Sequence, residues 1–103
     1  MNIQDCINLI RSNGLLKEWS DIQIAAGINR AIDTCCFTFS TDSSGKIDGL
    51  VFGRWIEPAK HIFVIAAIGK GKLRSYFSFL RSHFPQCHKI SALRYGVERI
   101  YNI

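Results

Sequence analysis

The chain has 103 residues, of which 48% are hydrophobic and 12% aromatic, and carries a formal net charge of +5. That is apolar material for one core and too little chain for two, which excludes intrinsic disorder and a multi-domain enzyme. The charge is uneven: residues 1–53 hold four Lys/Arg against six Asp/Glu, and residues 54–103 hold nine against two.

Taken in chain order, residues 2–13 place Ile3, Cys6, Ile7 and Ile10 at helical spacing, and Asn13-Gly14 stops the pattern. Ser20-Asp21 can cap a second helix through Ile22, Ala25, Ala26 and Ile28 to about Ile32, with Gly27 as a weak point in its middle. Thr34 to Thr41 is β-branched, aromatic and thiol-rich, so a strand is expected there, followed by a turn at Thr41-Asp-Ser-Ser-Gly45. Lys46 to Ile56 reads as its hairpin partner, and Gly49 and Gly53 point to a bulge or a close neighbour. After the loop Glu57-Pro58-Ala-Lys60, the run Ile62 to Ile68 is apolar at every position, the pattern of a central strand covered on both faces.

Gly69-Lys70-Gly71-Lys72 then leads into a helix with Leu73, Phe77, Leu80 and Phe84 on one side, ended by Pro85. Lys89 to Tyr95 is a strand, Gly96 a turn, and Val97 to Ile103 a last short strand. The expected fold is α/β (α+β), in the order α-α-β-β-β-α-β-β, with a mixed central sheet and helices on both faces. It forms a single domain over 1–103, with a helical part at 1–33 and the sheet with its crossover helix at 34–103. A helix between two strands favours a right-handed crossover and parallel pairing of those strands.

No apolar stretch approaches the roughly 20 residues that would span a bilayer. Met1-Asn-Ile-Gln-Asp5 shows no secretory pattern, so a cytoplasmic location is expected. Cys6, Cys35, Cys36 and Cys87 match no zinc spacing, and reduced thiols without a metal are the expectation.

The segments Gly45-Lys-Ile-Asp-Gly49, Phe63-Val-Ile-Ala-Ala-Ile-Gly69, Gly71-Lys-Leu73, Phe84-Pro85, Ile90-Ser-Ala-Leu-Arg-Tyr-Gly96 and Glu98-Arg-Ile-Tyr101, in this element order, resemble the GNAT-type acyl-CoA N-acyltransferase fold. The likeness covers roughly residues 45–101 and looks closest to small phage-encoded members and toxin-activating lysine acyltransferases. It implies an acyl-CoA cofactor whose pantetheine lies in a gap beside the central strand. Its pyrophosphate would meet the loop Gly69, Lys70, Gly71 and Lys72, where free amides and the positive end of the following helix favour an anion. A backbone amide near Ile65 to Ala67 would polarise the thioester carbonyl, and a neutral amine would attack it.

Other features depart from the family. The loop at 69–72 is shorter than the usual one. No histidine occurs in the first sixty residues, and Val64, Ile65 and Ala66 stand where toxin-activating relatives carry an aspartate. The candidates for proton transfer are Tyr95 as general acid, His61 as general base at the start of the central strand, and Glu57 as a carboxylate that could orient His61 or deprotonate the amine. Each also has an ordinary reading: strand packing for Tyr95, a strand cap for His61, a solvated loop acid for Glu57. His88 beside Cys87 makes no dyad, because neighbours in a strand or turn point apart.

Three functions follow from these residues. The first is an acyltransferase that uses acyl-CoA and an amine acceptor. The second is a non-catalytic member of the same fold that binds a protein, such as a virion component or a host factor. The third is a nucleic-acid-binding module built on the basic half and on Tyr76, Phe77, Phe79 and Tyr95; it ranks last because the helix aromatics look core-facing. A chain this short can complete its sheet or its site with a partner's edge, which makes a homodimer one expectation.

Overall fold

The protein is described by a computed structural model over residues 2–56, 61–69, 72–83, 87, 89–94 and 97–102. Its elements are α1 (Ile3–Ser12), α2 (Asp21–Asp33), β1 (Phe37–Thr41), β2 (Ile47–Ile56), β3 (His61–Ile68), α3 (Lys72–His83), β4 (Lys89–Arg94) and β5 (Val97–Asn102). This is the expected order, in an α+β architecture. The five strands form one mixed sheet in the order β1-β2-β3-β4-β5. Every neighbouring pair is antiparallel except β3 with β4, which the α3 crossover makes parallel.

The two N-terminal helices start where their caps dictate. Asn2 Oδ1 accepts the Gln4 N–H at 2.8 Å, and Ser20 with Gln23 forms a reciprocal capping box at the head of α2. Between the helices, Arg11 donates to the carbonyls of Leu16 and Trp19 and pairs with Asp21 at 2.9 Å, which fixes the turn. Gly27 does not break α2. A Cβ there would stand 3.4 Å from the Trp19 ring and 3.5 Å from Phe52, so the glycine lets the helix lie close over β2.

The first strand is shorter than its composition predicts. Thr34 still belongs to the end of α2, its N–H and hydroxyl both donating to the Arg30 carbonyl, and Cys35 turns the chain at φ +59°. Extended pairing therefore begins only at Phe37. Of the adjacent thiols, Cys36 is buried and Cys35 exposed, and no disulfide joins any of the four cysteines.

Face assignments follow from the register, because paired residues share a face and successive residues alternate. Phe52 lies under α2, whereas a Cβ on Gly53 would meet the Tyr76 hydroxyl of α3 at 3.2 Å. Helices α1 and α2 therefore cover one face of the sheet, over β1 and β2, and α3 covers the other. Ile62 and Ile90 are fully buried on the α3 face, and their neighbour Tyr101 of β5 packs against Phe77 of α3 with ring centroids 5.2 Å apart.

Two expectations are corrected here. The central strand β3 is not covered throughout: Ile62, Val64, Ala66 and Ile68 are buried, His61, Phe63 and Ile65 are half-buried, and Ala67 is exposed. A register shift between Phe52 and Gly53 of β2, opposite Ala66 and Val64, also leaves Ile65 as a bulged extra residue. The bulge changes the phase, so Ile62 and Val64 face α3 while Ala66 and Ile68 face α1 and α2.

The inward stripe of α3 is also shifted. Tyr76 and Leu80 are fully buried and Phe77 and Phe79 only partly, because Tyr76 reaches the Cys36 carbonyl with its hydroxyl at 2.7 Å and so goes inward with its polar atom satisfied. Tyr76 is thus no stacking platform. Phe84 lies outside the described residues.

Candidate functional site

The parallel ladder between β3 and β4 runs from His61↔Lys89 to Val64↔Ala92 and ends there, although β3 continues to Ile68 and β4 to Arg94. Each strand keeps its other neighbour over those lengths. Ala66, Ala67 and Ile68 pair with β2, and Leu93 and Arg94 with β5. The ladder between the two central strands therefore stops just before the Ile65 bulge. Along that edge of β3 the ladder supplies no partner for the backbone groups that point toward β4, and such groups are strong, directional hydrogen-bonding sites.

Beyond the end of that ladder β3 carries small side chains, with Ala66 buried and Ala67 exposed. At the end of β3, Gly69 takes φ +109°, a conformation that side chains other than hydrogen rarely adopt, and three residues later α3 begins. Helix starts carry unpaired N–H groups and a partial positive charge. In α1 and α2 an acid (Asp5, Asp21) sits in the first turn to offset that charge; α3 has none there.

Of the residues expected at this site, Ile65 and Ala67 lie on β3 beyond its last pair with β4, Gly69 follows β3, and Lys72 is the first residue of α3. Lys70 and Gly71 fall outside the described residues, as do Glu57 and Tyr95. His61 is placed elsewhere: it opens β3 at the opposite end, about 13 Å along the strand from Ile65. Its Nε2 lies 2.6 Å from the Ser91 hydroxyl, and Ser91 is fully buried. The imidazole thus pairs with a buried hydroxyl across the zipped part of the ladder. His83, at the end of α3, bonds back to the Phe79 carbonyl through Nδ1 at 3.0 Å and stacks on that ring. His88 is outside the described residues.

Three features escaped sequence reasoning. The Ile65 bulge depends on register, for which an unbroken apolar run carries no signal. The Ser91 partner of His61 comes from a strand thirty residues away. A surface recess of about 330 Å³ lies between the polar stripe Asp5, Asn8, Leu9 and Ser12 of α1 and Lys46-Ile47 at the start of β2. The helical spacing of that stripe was readable, but the strand that completes the recess was not.

Among the described residues, no three His, Cys, Asp or Glu side chains converge as a metal site. Nor is any helix there long and apolar enough to cross a membrane. No protein-family model, curated protein or solved structure matches the chain. Function must therefore be argued from the geometry.

Proposed function

We propose that this chain is a small GNAT-like domain that binds an acyl-CoA-type thioester between β3 and β4 and transfers its acyl group to an amine. The observation that carries the reading is the end of the parallel ladder at Val64↔Ala92, next to the Ile65 bulge. A slender arm with amide groups can extend one strand edge there by backbone hydrogen bonds. The phosphates would lie at Gly69 and the start of α3, where the glycine turn and an acid-free helix N-terminus favour negative charge. A backbone N–H turned out of the ladder between Ile65 and Ala67 would donate to the developing oxyanion. The amine nitrogen bonds to the carbonyl carbon, the carbon–sulfur bond breaks, and the thiolate leaves with the proton lost by the amine.

A second reading is a non-catalytic member of the same fold. It is favoured by the run Ile65 to Gly69, which contains no titratable side chain, and by the distance of His61 from it. One pair of measurements separates the two. Acetyl-CoA at about 100 times its Kd should add about 2.7 kcal/mol of stability, a Tm rise of roughly 10 °C or more. Mass spectrometry of a lysine-containing peptide incubated with both then reports transfer. Binding with transfer supports the enzyme; binding without transfer leaves the adaptor. No binding removes the acyl-CoA proposal. Ala67→Tyr, which fills the mouth of the opening from an exposed position, should weaken binding at least tenfold while preserving the fold.

A further inference from the structure

On the face opposite α3, the helices α1 and α2 pack on β1 and β2, and among the described residues no helix packs extensively on the zipped half of β3 or on β4 and β5. The register fixes what that open area displays. One cross-strand row is Ile56, His61 and Lys89, and the next is Arg54, Phe63, Ser91 and Ile100, with Ser91 itself fully buried. The close approach of Gly53 to Ile62 Cγ2 places Ile62 toward α3, and hence Phe63 and its row on the open side. Ile100 is 60% exposed and Ile56 37%, with Phe63 half-buried between them. Arg54 and Lys89 are exposed at the margins, and neither enters an ion pair among the described residues.

We infer that this open face of β3, β4 and β5 is a docking surface for an acidic amphipathic segment of a partner protein. The apolar centre of Ile56, Phe63 and Ile100 would take the segment's apolar side, and Arg54 and Lys89 its carboxylates. Charge complementarity selects the occupant. Residues 54–103 hold nine Lys/Arg against two Asp/Glu, so a second copy laid face to face would set like charges against each other. Nucleic acid would need stacking platforms, and Phe77 and Tyr101 pack on each other on the opposite side of the sheet. A scattered exposed isoleucine needs no explanation, but two of them flanking an aromatic on one sheet face, beside the exposed cations Arg54 and Lys89, form a surface suited to association. This surface lies at the zipped end of β3, away from the opening between Ile65 and Gly69, so its fate is independent of acyl-CoA binding.

The test uses the full chain, isotope-labelled, titrated with a designed Glu/Leu amphipathic helical peptide and with its Lys-for-Glu counterpart. The expected result is amide shifts at Phe63, Ser91 and Ile100 with the acidic peptide only, weakened by added salt. Arg54→Glu with Lys89→Glu, and separately Ile100→Lys, should each weaken binding at least tenfold. Arg54→Gln with Lys89→Gln, checked for an unchanged Tm, serves if charge reversal disturbs folding. The proposal is overturned by equal binding of the basic peptide, by shifts confined to α3, or by no shift at millimolar peptide. It is equally overturned if sedimentation shows a dimer that Ile100→Lys dissolves, or if a single-stranded oligonucleotide moves the same amides more strongly than the acidic peptide.

Discussion

Gly53 marks the closest approach between the sheet backbone and its surroundings. A Cβ there would stand 2.8 Å from both Ile62 Cγ2 and the Phe63 carbonyl oxygen, and backbone cannot move aside cheaply. Gly53→Ala should therefore cost about 1–3 kcal/mol, read from urea denaturation. Tyr76→Phe should cost less, about 0.5–1.5 kcal/mol, because the Cys36 carbonyl keeps the Gly53 N–H at 3.1 Å after the hydroxyl is lost. The thiols add a pH dependence. Burial raises Cys6, Cys36 and Cys87 above the ordinary 9.0, with Asp5 adding to the effect at Cys6, and burial likewise raises the Tyr76 phenol. The folded chain holds these protons to higher pH than the unfolded chain does. Their contribution is therefore complete below the ordinary values and is lost as pH climbs through the folded ones. Tm should fall from about pH 9 upward, and less steeply when Cys6, Cys36 and Cys87 are all replaced by Ala. At this scale the sequence was partly legible. Glycines at 49 and 53 in a strand announced a close neighbour or a bulge, but not that the neighbours would be Ile62, Phe63 and Tyr76.

At the level of elements, the turn between α1 and α2 shows which of two interactions matters. Arg11 bonds two loop carbonyls and one carboxylate, and the Asp21 side chain in that ion pair is 62% exposed. Arg11→Ala should cost roughly 1.5–3 kcal/mol through the stranded carbonyls, whereas Asp21→Asn should cost below about 1 kcal/mol. Thermal denaturation of the two variants checks the order. Helices and strands were legible because their signals are local: apolar spacing in α1 and α2, Ser20 with Gln23 at a cap, and Pro85 after α3. The errors arose where tertiary contacts overrule local pattern. Thr34 and Cys35 look like strand residues but finish a helix. Tyr76 looks like a surface aromatic but goes inward, because an unrelated carbonyl waits for its hydroxyl. The strand, glycine and helix that carry Ile65, Ala67, Gly69 and Lys72 were readable in that order from the sequence. The distance of His61 from them was implicit in its place at the start of β3, yet a one-dimensional reading does not set the two ends apart.

Across the whole molecule, the chain divides at one line. Everything from α1 to β3 is joined by neighbouring antiparallel strands and by helices packed on them, whereas β4 and β5 form a hairpin attached through α3 and the short parallel ladder. Long-range parallel pairing forms late and contributes fewer bonds here than any complete ladder would. Native-state hydrogen exchange should accordingly find β4 and β5 amides opening at lower denaturant than the amides of β2, in a separate cooperative step. A uniform, single-step opening would contradict this division. The early end of the β3–β4 ladder then has a mechanical consequence: whatever settles between those strands is gripped by both halves at once. Such a guest acts as a clasp, and the C-terminal hairpin should gain protection out of proportion to the few atoms it touches.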